Sequence, residues 1–262
     1  MAALRAELAP LRADRRIGLV ATMGALHAGH EALVRRARSD CDVVVASIFV
    51  NPAQFGPGED FERYPRDERR DAALAESWGV DHLFVPSVDE MYPDGFGTRV
   101  EVLDLGEELE GAMRPGHFRG VATVCLKLFN IVRPERAYFG QKDAQQAAVL
   151  ERMVSDLDLG IEIRVVPTVR DDDGLALSSR NAYLSADERA AATALPRALA
   201  AGAEAGPERA AEVARAVLAE EPRLAPDYVE VAPLNGRVYL LAAARVGSTR
   251  LIDNVVLEGE LE

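Results

Sequence analysis

The run Asp42-Val-Val-Val-Ala-Ser-Ile-Phe-Val50 constrains the fold of this chain more than any other segment. It lacks the polar alternation of a strand with one wet face, so a strand here must be covered on both faces, as in a parallel sheet flanked by helices. Upstream stands a second β-rich run, Ile17-Gly-Leu-Val-Ala-Thr22, which ends at Met23-Gly24 and gives way to helical spacing of Leu33, Val34 and Ala37. Strand, glycine turn, helix, strand is a βαβ unit. The alternation continues with a polar helix around 67–78, a strand at 82–85 and an amphipathic helix over 118–132 that Pro134 ends. A strand at 136–139, a helix over 144–157 and a strand over 161–166 follow. Repetition of this kind predicts an α/β fold built on a doubly wound parallel sheet.

Composition then changes. Asp171-Asp-Asp-Gly174 opens a polar stretch, and 186–219 is Ala-rich with a break at Gly206-Pro207, which predicts two helices. Three short strands are expected at 228–231, 237–241 and 250–256. The expected division is therefore a domain of residues 1–168 and a smaller C-terminal α+β domain of residues 169–262.

Charge narrows the function. The 30 Lys plus Arg stand against 43 Asp plus Glu, a formal charge of −13, so a phosphate polymer is repelled on average and no nucleic acid is expected as partner. A spanning helix needs about 20 apolar residues in a row, far more than the densest run at 43–50 offers, so no membrane is expected either. The opening residues carry Arg5, Glu7, Arg12, Asp14, Arg15 and Arg16 without an apolar core, unlike a secretory signal. Cys41 and Cys125 are the two cysteines, each beside aliphatic residues, which suits a reducing compartment. The expected location is cytoplasmic.

The chemistry concentrates at strand ends. Thr22-Met-Gly-Ala-Leu-His-Ala-Gly-His30 sits where the first strand turns into the first helix, the end of such sheets at which ligands bind. Free backbone N–H groups and the helix dipole favour phosphate there, and His27 and His30 would share a face beside it, donating hydrogen bonds to a phosphoryl group. Two surface histidines in a turn is the other reading, and a metal pair a third, although no further ligand of the usual type stands near. Lys142, one of two lysines in the chain, follows another strand in Tyr138-Phe-Gly-Gln-Lys-Asp143. It suits phosphate as a point charge, or is a solvated lysine beside Asp143. Leu177-Ser-Ser-Arg-Asn181 offers hydroxyls and a guanidinium for phosphate oxygens, or an N-cap and turn. Asn51, Gln54 and Gln146 offer neutral amides to hydroxyls or a carboxylate, or are structural loop residues. Arg114-Pro-Gly-His117 reads as an anion contact or a plain turn.

In this order these segments resemble the pantothenate synthetase family, the AMP-forming pantoate–β-alanine ligases. The resemblance rests on Thr22 to His30, Ser47-Ile-Phe-Val-Asn-Pro-Ala-Gln-Phe55, Met91-Tyr-Pro-Asp-Gly95, Arg114-Pro-Gly-His-Phe-Arg-Gly120, Phe139-Gly-Gln-Lys-Asp-Ala-Gln-Gln146 and Val166-Pro-Thr-Val-Arg170 with Leu177 to Asn181. It implies a Rossmann-like domain of the His-x-Gly-His nucleotidyltransferase type, a C-terminal lid domain and a homodimer. It also implies ATP-dependent joining of (R)-pantoate to β-alanine through pantoyl adenylate, with Mg²⁺ accompanying ATP and no metal site of the protein's own.

Carried over by position, the ATP loop would comprise Met23, Gly24, Ala25 and Leu26 with His27, Ala28, Gly29 and His30, and His30 would be the family's proton donor. Gly140, Gln141, Lys142 and Asp143 would join Val169 and Leu177, Ser178, Ser179 and Arg180 in binding ATP, with Lys142 and Arg180 facing the phosphates. The resemblance thus makes His27, His30 and Lys142 the catalytic set. Gln54 would touch pantoate and β-alanine, and Gln146 pantoate. Ala21, Ala28 and Gly116 depart from the family pattern, none of them removing a group the mechanism uses.

Overall fold

A computed structural model describes residues 1–261 as two compact units. The first comprises Met1–Phe139 and Gln145–Val166; the second takes Gly140–Ala144 and the chain from Pro167 onward.

The first unit opens with an N-terminal helix, α1 (Ala2–Leu8), and strand β1 (Ile17–Thr22). Helix α2 (Ala28–Asp40), β2 (Val43–Ile48), α3 (Glu68–Ser77), β3 (His82–Phe84) and the short helices α4 (Val88–Met91) and α5 (Glu110–Met113) follow. It closes with α6 (His117–Val132), β4 (Arg136–Gly140), α7 (Ala144–Asp156) and β5 (Glu162–Val166). The sheet runs β3-β2-β1-β4-β5, and the β1–β2, β2–β3 and β1–β4 pairings are parallel. From β1 the chain winds outward through β2 and β3, then resumes on β1's other side with β4. Strand order therefore reverses at β1, the kind of point at which α/β sheets bind ligands. Every residue of β2 is buried, as its unbroken apolar run requires. Leu33, Val34 and Ala37 of α2 pack on Val20, Val44 and Tyr138.

In the second unit the Ala-rich stretch forms three helices rather than two: α8 (Ala186–Ala192), α9 (Ala194–Glu204) and α10 (Ala210–Leu218). The break between α8 and α9 has a local cause. Pro196 has no N–H to offer the Ala192 carbonyl, so the first helix cannot run into the second. Ser185 and Glu188 form a reciprocal cap at the start of α8. The three expected short strands are parts of longer ones, the middles of β6 (Leu224–Leu234) and β8 (Thr249–Glu258) and the first half of β7 (Arg237–Val246), in an antiparallel sheet ordered β6-β7-β8. Backbone hydrogen bonds carry the strands past their β-branched and aromatic runs, in β7 through Ala242-Ala-Ala-Arg-Val246, so side-chain type alone underestimates their length. Pro226 and Pro233 lie on β6, an edge strand, where a missing N–H costs no ladder bond on the open side. Small alanines let the helices settle on this sheet, with Ala198, Leu199, Ala214 and Leu218 clustered against Leu240 and Ala242. No helix among the described residues is long and apolar enough to cross a membrane.

Candidate active site

The histidine loop leaves β1 with Gly24 at φ +84° and Ala25 at φ +50°. A β-carbon on Gly24 would meet Asp71 Oδ2 at 3.0 Å and Ile48 Cγ2 at 3.1 Å, so backbone conformation and space both require glycine. His27 caps α2: its Nδ1 accepts the Gly29 N–H at 3.1 Å, while His30 Nδ1 accepts the His27 N–H at 3.3 Å. The rings stand 4.1 Å apart between centroids. A backbone N–H can only donate, so each Nδ1 must be a lone pair, and each neutral imidazole carries its proton on Nε2.

Most of the backbone donors expected in this loop are engaged within the protein. Asp71, only 1% exposed in the first turn of α3, accepts the Ala25 N–H at 2.7 Å and the Leu26 N–H at 2.9 Å. Gly24 N–H goes to Thr22 Oγ1 and His30 N–H to the His27 carbonyl. Six amides, those of Gly24, Ala25, Leu26, His27, Gly29 and His30, thus hold the loop's shape, and each imidazole is fixed with its remaining donor on Nε2.

Gln54 lies beside this loop. Its Nε2 donates to Met23 Sδ at 3.1 Å, and its Oε1 accepts from Asn51 Nδ2 at 2.9 Å. Asn51 thereby fixes which end of the amide is oxygen, and a thioether is a weak acceptor that a substrate oxygen can replace. Asn51 is held in turn by Tyr92, whose hydroxyl donates to Asn51 Oδ1 at 2.7 Å. The segment Arg114 to His117 is a turn that grips this loop rather than an anion site. His117 Nδ1 donates to the Gln54 carbonyl at 2.8 Å, its Nε2 accepts from Arg114 at 3.1 Å, and Arg114 makes paired hydrogen bonds to Glu59 at 2.7 and 2.8 Å. Burial, with the Arg114 guanidinium beside it, pulls His117 down to about 4. Gly120 on α6 touches the same loop so closely that a β-carbon would fall 2.2 Å from the Ala53 carbonyl oxygen. Gln146 is half-buried in the first turn of α7.

The second unit holds the remaining site residues. Leu177 N–H donates to the Val169 carbonyl at 3.0 Å, and Arg170 bridges Ala176, closing the acidic turn between them. Ser178 caps the turn that begins at Ser179, accepting the Arg180 N–H at 3.3 Å, so for Ser178 the capping reading holds. Lys142 Nζ lies 3.3 Å from both carboxylate oxygens of Asp143. Asp71 and Asn254 of β8 carry no local mark in the sequence, and the hold of Arg114 and His117 on the Gln54 loop is not written in their own segment.

A sequence model of pantoate-beta-alanine ligases matches residues 1–256. The chain belongs to that family. It is similar to the pantothenate synthetase of Chloroflexus aurantiacus, 59% identical over 93% of this chain and 92% of that protein, and to that of Moorella thermoacetica, 58% identical over 92% and 91%. Among solved structures, the Thermus thermophilus pantothenate synthetase superposes with a TM-score of 0.91 at 48% identity, covering 96% of this chain and 98% of that one. The Francisella tularensis pantoate-beta-alanine ligase, in complex with beta-gamma ATP and beta-alanine, superposes with a TM-score of 0.84 at 37% identity, covering 98% and 95%. The Rossmann-like α/β class with a small C-terminal antiparallel sheet is thus the family's own architecture, and the chain is a ligase.

Proposed function

We propose that this chain joins (R)-pantoate to β-alanine at the expense of ATP, in two steps through pantoyl adenylate. A pantoate carboxylate oxygen attacks the α-phosphorus, a new P–O bond forms and pyrophosphate leaves. The β-alanine nitrogen then attacks the acyl carbon, loses a proton, and AMP departs. Neither step requires a nucleophile from the protein; both depend on position and on donors for growing charge. The observation that carries this reading is the reciprocal His27–His30 cap, which holds both imidazoles in the tautomer with Nε2–H as donor.

In this reading His27 and His30 donate from Nε2 to the transferring phosphoryl group, and Lys142 and Arg180 bind phosphate oxygens. Gln54, its amide oriented by Asn51, donates to pantoate and β-alanine oxygens, and Gln146 to pantoate. Bound ATP and β-alanine in the Francisella protein support these substrates here. Asp143 is the one acidic residue among those assigned to ATP, and a single carboxylate suits a Mg²⁺ that would be carried mainly by phosphates and water. Such an ion supplies charge neutralisation of the departing pyrophosphate. Cytoplasmic location and a homodimer belong to the same reading.

The test is product analysis. Pyrophosphate exchange into ATP should require pantoate and not β-alanine, whereas AMP and pantothenate should accumulate together only when all three substrates are present. ADP as product, or exchange without pantoate, would overturn the proposal.

A further inference from the structure

We propose that Asn254 is a positioning residue for Lys142, acting in adenylation by fixing the backbone that carries the ammonium. The inference rests on the phosphate role of Lys142 given above.

Asn254 is 1% exposed on β8. Its Nδ2 donates to the carbonyl of Gln141 at 2.8 Å and to that of Lys142 at 2.9 Å, while its Oδ1 accepts from Gln141 Nε2 at 3.2 Å. Both amide hydrogens are thus spent on two consecutive peptide carbonyls. A peptide held at both carbonyls cannot rotate without breaking a buried hydrogen bond, so the Cα–Cβ direction of Lys142 is set by β8. The clasp is itself braced. Asp253, 2% exposed, accepts the Asn254 N–H at 2.8 Å and is clamped by both terminal nitrogens of Arg170 at 2.6 and 3.0 Å. This explains why Gly140–Ala144, though it interrupts the first unit in sequence, belongs to the second. Lysine has a long flexible stem, and its point charge acts at a defined place only if the stem's root is fixed.

Four proteins decide the matter: Asn254→Ala, Lys142→Ala, the double variant, and the milder Arg170→Lys, which loosens the brace without removing the clasp. Each is assayed for pantoate-dependent pyrophosphate exchange and, in single turnover, for conversion of supplied pantoyl adenylate with β-alanine. Asn254→Ala should lose roughly tenfold to a hundredfold in exchange and less than about threefold in the second step. Arg170→Lys should shift the same ratio in the same direction by a smaller factor. In the Lys142→Ala background the Asn254 change should add nothing further to the loss of exchange, because the group it positions is gone.

Equal losses in both half-reactions, an undiminished effect in the Lys142→Ala background, or exchange unchanged in folded Asn254→Ala would each refute the positioning role. If Asn254→Ala does not fold, Arg170→Lys carries the decision by the same ratio. Normal exchange in Lys142→Ala alone would instead remove the phosphate role of the lysine, a separate failure that this panel identifies.

Discussion

Replacing Asp71 by asparagine tests whether the shape of the histidine loop is held from α3. The carboxylate accepts two backbone N–H groups, from Ala25 and Leu26, at 2.7 and 2.9 Å, in a place 1% exposed. Asparagine keeps the size but only one acceptor oxygen, so one amide would face an NH₂ group instead. Hydrogen bonds to a charged group contribute about 1.5–3 kcal/mol each, and a stranded buried N–H costs about 1–3 kcal/mol. The exposed Arg70 guanidinium, 3.5 Å from Asp71, contributes little to this balance. The variant should therefore lose about 2–4 kcal/mol of stability, a fall in melting temperature of roughly 5–15 °C. The same change frees the peptides next to His27, and a displacement near an ångström costs about a hundredfold in rate. Thermal unfolding and pantoate-dependent pyrophosphate exchange, measured at a temperature where the variant is folded, are the assays. A melting temperature within about 1 °C of the parent together with exchange within about threefold would show that the loop holds itself.

Gly120→Ala should drive Ala53 and Gln54 away from α6, since its β-carbon would lie 2.2 Å from the Ala53 oxygen and 2.6 Å from Gln54 Cα. The expected result is a rise in KM for pantoate and β-alanine, roughly tenfold or more, with ATP affinity measured by direct titration nearly unchanged; weakened ATP binding with normal pantoate use would contradict the Gln54 assignment. His117 provides a pH test, because its folded value of about 4 lies below the 6.5 of an unperturbed histidine. The unfolded chain binds the extra proton first, so the stability contributed by neutral His117 is complete above pH 6.5 and is lost as pH falls towards 4, a loss on the order of 3 kcal/mol. His117→Asn keeps an N–H donor for the Gln54 carbonyl and should flatten that acid slope in denaturant titrations at stepped pH; an unaltered slope would assign it to other groups.

What the sequence by itself determined was local: the buried strand at Val43–Ile48, the strand, turn and helix around Met23-Gly24, the His27–His30 pair at a helix start, and the apolar stripe of α6. Each is written in neighbours a few residues apart, where side-chain period, glycine and capping chemistry act directly. Motif resemblance added the order of the segments and the family's assignments. The tertiary structure decided the rest. Asp71 is one of 43 acidic residues, and nothing near it marks it as the acceptor of amides 45 and 46 positions away. Asn254 reaches carbonyls 112 and 113 positions upstream, and His117 the carbonyl of Gln54 across 63. Such polar groups find partners only when folding brings distant backbone together and removes water from between them, so their roles are properties of the packed chain. A residue type shows which hydrogen bonds a group can make; only the fold shows which of them it has already made.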